Sequence, residues 1–226
     1  MRNFIGIAIS TAITLVSAPV LAADAGLGAY STASHGWYIE VRGGGAVPVN
    51  HSFTSTATGA GEYKPNTGFN IGVDIGKYLT DNWRAELGLY WNRGSNGSAT
   101  LGGGAPIAHT GSVDVYSFMG NLLYSFDTNS SMRPYIGAGI GLSHFDFNGL
   151  GAVGGGFTIT GSDTVFSAAL LTGVDFKIGE RTAITSRYSL SWADGGRYST
   201  TTPGLTVRTS GEIEHIFGIG LRVDLN

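Results

Sequence analysis

The chain has 226 residues, no cysteine, a net charge of −3 and 37 glycines, about twice the usual glycine share. Without cysteine there is no disulfide, thiolate nucleophile or cysteine-held metal, and a charge this near neutrality gives no basic footprint for nucleic acid. The length suits a single domain.

Arg2, an apolar run over residues 4–16, a break at Ser17-Ala18-Pro19 and the small-residue sequence Val20-Leu21-Ala22 read as a removable secretory signal over residues 1–22. The apolar run is short of the roughly 20 residues a helix needs to cross hydrocarbon. No later segment is long and apolar enough either. The mature chain is therefore soluble, or it crosses as a closed barrel, the other structure that satisfies its own backbone in lipid. Residues 23–35 are small, polar and unpatterned, a leader into the domain at 36–226.

Over residues 36–46, Trp37, Ile39, Val41 and Gly43 alternate with Tyr38, Glu40, Arg42 and Gly44, the period of a strand. Residues 47–66 are rich in Thr, Ser and Gly and read as a long loop. The next two strands form a hairpin over residues 72–91. In it Val73, Ile75, Ala85, Leu87, Leu89 and Trp91 share one face, and Asp74, Arg84 and Glu86 share the other with glycines. Thr80-Asp81-Asn82 supplies the turn. A second Gly/Ser loop covers 93–111. The fourth strand, 113–126, sets Tyr116, Phe118, Leu122 and Tyr124 against Ser117, Met119 and Asn121.

Pro134 opens the fifth strand, where proline is tolerated as a first residue; Ile136, Ala138, Ile140 and Leu142 alternate with Gly137, Gly139 and Gly141. Three glycines on one face pack only if something bulky lies opposite. A third loop spans 147–161, in which Phe157-Thr-Ile-Thr160 can extend a strand above the membrane. The sixth strand sets Phe166, Ala168, Leu170, Val174 and Phe176 against Ser167, Ala169, Gly173, Asp175 and Lys177. The seventh sets Ile184, Tyr188, Leu190 and Trp192 against Thr185, Arg187, Ser189 and Ser191. After a fourth loop at 193–210, the last strand sets Ile213, Phe217, Ile219, Leu221, Val223 and Leu225 against Glu214, Gly218, Gly220, Arg222 and Asp224.

Charges share the glycine face in strand after strand while the apolar face runs unbroken, as in a barrel with its apolar side to lipid and its polar side to the lumen. The connections alternate long and short, which gives eight strands with both ends on the short-turn side. Strands of about nine to eleven residues match a tilted span. Two aromatic belts mark the lipid interfaces: Trp37, Tyr78, Trp83, Tyr124, Tyr135 and Phe176 at the short-turn end, and Phe69, Trp91, Tyr116, Phe166 and Trp192 at the other. The expected fold is all-β, an eight-stranded antiparallel up-and-down transmembrane barrel with short periplasmic turns and four long extracellular loops.

The hairpin GVDIGKYLTDNWRAEL, the strand Asn121-Leu-Leu-Tyr124, Pro134-Tyr-Ile-Gly-Ala-Gly-Ile-Gly141, Gly173-Val-Asp-Phe-Lys177 and the closing Gly218-Ile-Gly-Leu-Arg222 resemble, in order and spacing, the OmpA-like and opacity-type small outer-membrane β-barrel family of Gram-negative bacteria. The resemblance departs at Leu225-Asn226, where such proteins end in an aromatic residue. It implies the cell outer membrane, with lipid, lipopolysaccharide and the barrel-assembly machinery as partners, a monomer, and a surface antigen or member of the porin family. It also implies a structural or surface-exposed role in envelope integrity, adhesion or host-factor binding through the extracellular loops. A narrow porin-like channel for small solutes is the alternative, and a lipid-modifying enzyme a more distant one.

The candidate site is a lumen ion-pair network of Glu40, Arg42, Asp74, Arg84, Glu86, Asp175, Lys177, Arg187, Glu214 and Arg222, with Asp224 beside it. Both signs are present, so the charges can neutralise one another, and an eight-stranded barrel is only just wide enough for its own side chains. Other motifs carry no chemistry. Residues 149–154 satisfy G-x-G-x-x-G but lack the strand-to-helix setting a dinucleotide needs. His35, His51, His109, His144 and His215 lie on separate segments without metal-ligand spacing. Asn50, Asn96 and Asn129 open glycosylation-type triplets that serve as turns. No catalytic residue, cofactor, metal or nucleic-acid partner is expected.

Overall fold

The computed structural model describes residues 36–56, 59–102, 104–152 and 158–225. The signal and leader expected over residues 1–35, and the terminal Asn226, lie outside the described residues. Among the described residues twelve strands follow one another: β1 (Trp37–Pro48), β2 (His51–Ser55), β3 (Gly59–Pro65), β4 (Gly68–Tyr78), β5 (Trp83–Leu101), β6 (Ile107–Ser125), β7 (Met132–Ala152), β8 (Ile159–Lys177), β9 (Thr182–Ala193), β10 (Arg197–Thr200), β11 (Thr206–Thr209) and β12 (Glu212–Asp224).

All pairings are antiparallel and they close twice. In a lower tier the order β1-β4-β5-β6-β7-β8-β9-β12 returns to β1. Above it, the far halves of β5 to β8 continue upward, and β3, β2, β11 and β10 bridge the gap from β5 round to β8. Neither tier leaves a free sheet edge along these ladders, which removes the template for edge-to-edge aggregation.

The sequence expectation of four long loops without strand structure is corrected here. The described residues of 47–66, 93–111 and 147–161 are largely strand, and 193–210 holds the strands Arg197–Thr200 and Thr206–Thr209. They hide from pattern reading because both their faces are mixed or polar, so no apolar alternation marks them. Once β5 to β8 are paired, continuing the ladder satisfies more backbone groups than leaving it, and Thr206-Val-Arg-Thr209 adds β-branched residues that suit a strand. The four long strands run to 19, 19, 21 and 19 residues. At about 3.3 Å per residue and a tilt of about 45° they rise roughly 45 Å, against about 30 Å of hydrocarbon. The upper tier therefore stands clear of any bilayer that holds the lower one.

Burial is inverted in the lower tier. Asp74, Asp175 and Glu40 are 0% exposed, whereas Ile219, Leu89 and Ile140 are 69%, 64% and 64% exposed. An apolar exterior this continuous is stable only against hydrocarbon. Trp37, Trp83, Phe126 and Phe176 stand outward at the short-turn end, and Phe69, Tyr116, Phe166 and Trp192 at the other. Tyr78 and Tyr135, read as belt residues, instead point inward and are buried, because each sits on the charged parity of its strand. The glycine face of β7 meets bulk as expected: a Cβ at Gly139 would lie 2.0 Å from Asn121 Oδ1.

The short turns are knit together. The Thr80 hydroxyl accepts from the Trp83 amide at 3.0 Å, and Asn82 Nδ2 donates to the Ser125 carbonyl and to Asp127, both at 2.9 Å.

Replacing Leu89 with Arg drives a charge into the lipid-facing band and is expected to lower stability by about 2–4 kcal/mol, read from the urea midpoint of refolded protein in lipid vesicles. Thr202→Arg, on an exposed connection, is the control and is expected to change almost nothing. Equal effects at the two positions contradict the inverted arrangement.

Candidate functional site

The lower tier is filled at mid-height by four arginines and four carboxylates. Strict alternation sends Glu40 and Arg42 of β1, Asp74 of β4, Arg84 and Glu86 of β5, Asp175 of β8, Arg187 of β9 and Arg222 of β12 to the same side of the closed sheet. Asp175 Oδ2 accepts from Arg84 Nη1 at 2.5 Å and from Arg222 Nη1 at 2.7 Å. Glu86 Oε1 accepts from Arg187 Nη2 at 2.9 Å. Arg42 bridges Glu40 and Asp74, the latter at 2.9 Å, and Arg187 lies 3.4 Å from Glu40.

Four phenols complete the packing. Tyr38 donates to Glu86 at 2.7 Å, Tyr90 donates to Asp74, and Arg187 Nε donates to the Tyr135 oxygen at 3.0 Å. Tyr78 reaches Asp224 at 3.4 Å. The Arg84 guanidinium lies 4.5 Å from the Tyr135 ring centroid and Arg222 lies 5.3 Å from that of Tyr38, so the cations are held by rings as well as by carboxylates. Room for this comes from glycine: a Cβ at Gly88 would fall 2.2 Å from the Tyr90 hydroxyl and 2.4 Å from Asp74 Oδ1.

Of the ten residues read as one network, Glu40, Arg42, Asp74, Arg84, Glu86, Asp175, Arg187 and Arg222 come together. Lys177 and Glu214 stand apart. Lys177 is half-buried at the lower end of β8, within electrostatic reach of Asp224. Glu214 lies above the cluster and accepts from Asn92 Nδ2 at 2.8 Å. Tyr38 and Tyr90 were already on the charged parity of their strands. What sequence could not give is the partner, since Tyr38 and Glu86 are 48 residues apart.

A second feature lies in the upper tier, above the aromatic belt. A cavity of about 230 Å³ is lined by residues from seven strands, chiefly Phe53, Leu101, Ile107, Phe147, Leu150 and Val207. His51 and His109, unrelated in sequence, flank Tyr63 there, with ring centroids 5.5 and 5.9 Å from it. His51 Nε2 lies 3.5 Å from Glu212 Oε1. Burial pushes the Glu212 carboxyl up to about 7 and the His51 imidazole down. These residues escaped sequence reading because most lie in segments that carried no strand signal. Of the glycine motif at 149–154, residues 149–152 end β7 at a register shift; 153 and 154 lie outside the described residues.

On the lipid side, His215 shares the outward parity of Phe217 and is bonded through Nδ1 to the Tyr188 hydroxyl at 2.8 Å. The pair satisfies two polar groups that hydrocarbon would otherwise strand.

Comparison with known proteins places this geometry. The family model described as outer membrane protein beta-barrel domain matches residues 8–224. No curated protein matches the sequence. Among solved structures, OprG of Pseudomonas aeruginosa superposes with a TM-score of 0.58 at 15% identity, covering 84% of this chain and 96% of that one. Neisserial surface protein A gives 0.55 at 18%, covering 86% and 100%. The outer membrane protease OmpT of Escherichia coli gives 0.52 at 8%, covering 86% and 99%. At these identities the likeness is one of fold.

Truncating one member of the cluster leaves its partners charged and buried, so Arg84→Ala and Asp175→Ala are each expected to cost about 3–5 kcal/mol. The double variant is expected to cost less than their sum, because the two share one contact. Urea midpoints of the three variants check this, and an unchanged midpoint in either single variant contradicts it.

Proposed function

The chain belongs to the outer membrane protein beta-barrel domain family, and from that premise we propose a sealed, eight-stranded up-and-down transmembrane barrel whose function is exercised at its extracellular end. The protein resides in the outer membrane of a Gram-negative bacterium. In this reading the short connections after β4, β6 and β8 face the periplasm and the upper tier stands outside the cell, the orientation usual for such barrels. Residues 1–22 direct export and 23–35 lead into the barrel. The twelve strands reduce to eight at any level, since β2, β3, β10 and β11 replace β1, β4, β9 and β12 in the upper tier.

One observation carries the sealed reading: every member of the charge cluster is 5% exposed or less. Water-filled lumens keep such groups hydrated, whereas an eight-stranded barrel has room for little beyond its own side chains. The polar chamber directly above the cluster, lined by Arg42, Asn70, Tyr90 and Asn92 among others, holds only about 40 Å³, space for a few waters. The cluster thus acts as a structural plug, and the upper tier becomes the part of the molecule with something to bind.

The role is that of a surface-exposed binding or envelope protein, in which adhesion or host-factor recognition uses the rigid strand extensions rather than floppy loops. Its partners are outer-membrane lipid and lipopolysaccharide around the apolar belt, the barrel-assembly machinery during insertion, and an extracellular ligand above. It works as a monomer, without a cofactor and without catalysis. One neighbour, Neisserial surface protein A, carries a surface location in its name, which agrees with this reading.

Planar-bilayer recording separates this reading from a narrow channel. Wild-type protein inserted into a bilayer under concentrated KCl is expected to give no discrete conductance steps above protein-free membrane. Steady, uniform steps from the wild type contradict the plug and favour the channel.

A further inference from the structure

We infer that the upper-tier cavity binds a small amphipathic cation, with an aromatic or aliphatic body in the apolar chamber and a protonated amine at Glu212. The inference rests on the sealed-barrel reading, since it seats the ligand above a closed plug rather than in transit through it.

The chamber comes first. An engineered apolar cavity of about 150 Å³ takes up benzene, and this one is larger, at about 230 Å³. Its walls are side chains of β2, β3, β5, β6, β7 and β11 and the start of β8, all fixed by ladder hydrogen bonds, so the space is built into the sheet. Residues so mixed in sequence have no reason to enclose an apolar void merely to support the barrel, whose closure the ladders already provide. Apolar walls with a few convergent polar groups are the usual make-up of a small-molecule site.

The polar end is acidic. His51, Tyr63, Phe147 and Leu150 line both this chamber and a smaller space of about 70 Å³ beneath it, whose lining adds Glu212, Glu214 and Asn92. Among the described residues, no lysine or arginine lines either space. Glu214 has its amide donor in Asn92. Glu212 faces His51, at 3.5 Å, and burial keeps that imidazole from gaining a proton easily. A carboxylate lodged at the end of an apolar chamber, with a neutral ring beside it, is short of positive charge. A bound ammonium relieves that shortage, whereas a carboxylate-headed ligand meets two glutamates and is repelled.

The test uses three probes of one shape, 4-phenylbutylamine, 4-phenylbutanol and 4-phenylbutyrate, titrated calorimetrically into refolded full-length barrel in zwitterionic lipid nanodiscs, with empty discs subtracted. The amine is expected to bind at least tenfold more tightly than the butyrate, with the alcohol between. Glu212→Gln is expected to remove most of that spread while leaving the alcohol's affinity within a factor of about two. Ala99→Phe fills the chamber from a buried wall position and is expected to weaken all three at least tenfold. Val207→Trp, also buried on the wall, replaces it if the first variant loses the heat-dependent shift in SDS mobility that marks a folded barrel. Equal binding of the three probes, binding unaffected by the filled chamber, or no binding above empty discs overturns the site. Because the calorimetry needs no conductance, a sealed barrel with equal binding defeats only this inference, and a conducting wild type with the expected ranking defeats only the sealed reading.

Discussion

Four arginines and four carboxylates packed into the middle of a closed sheet set the terms for the rest of the molecule. Left singly, each such charge would be too costly to bury; together they cancel, and each carboxylate in the group faces at least one guanidinium within 3 Å, as Asp175 does twice. Arginine suits the place because its planar fork can bond two carboxylates while its face rests on a phenol. The exterior follows by exclusion. With the polar groups turned inward, the outward parity of the lower-tier strands is left chiefly to aliphatic and aromatic residues, and a surface so largely apolar is stable only in lipid.

The same cluster explains the glycines. Eight strands enclose a narrow space, and four arginines with four tyrosines occupy nearly all of it, so inward positions that face a large side chain must have none of their own. Gly88, against Tyr90 and Asp74, is the plainest case. Above the cluster the constraint relaxes. The upper tier packs an ordinary apolar interior around Tyr63, Phe145, Phe147, Leu150 and Tyr198, and there the barrel can afford a chamber. A charge-packed lower tier that holds the sheet shut and an apolar upper tier that leaves space divide structural from binding work along one set of continuous strands.

Much of this was legible in the sequence. Period-2 alternation assigns Asp74, Glu86 and Arg187 to the interior and Leu89 and Ile219 to lipid without any reference to neighbours. The same rule, applied to residue 215, puts a histidine on the lipid face, but its bond to Tyr188 depends on the β9–β12 register, which no local signal gives. Tyr78 and Tyr135 show how two readings compete: an aromatic near a strand end suggests an interface belt, whereas its parity says interior, and parity prevails because the sheet geometry is rigid. The upper tier was the least visible part. Segments such as His51-Ser-Phe-Thr-Ser55 become strands through the partners they find, and so the meeting of His51, Tyr63, His109 and Glu212 belongs to tertiary structure alone.

The inversion of charge and apolar surface can be tested directly with a carbene photoprobe confined to the hydrocarbon of a vesicle, read by peptide mass mapping on refolded protein. Single-cysteine variants at Leu89, Ile140, Leu170 and Ile219, all more than half exposed on the lower tier, are predicted to be labelled. Near-isosteric variants at Ser143, Ser167 and Thr185, all 4% exposed or less on the opposite parity, are predicted to escape. Labelling of the second set as strong as that of the first would mean that the charge cluster does not lie inside a lipid-facing barrel, and the account would fail with it.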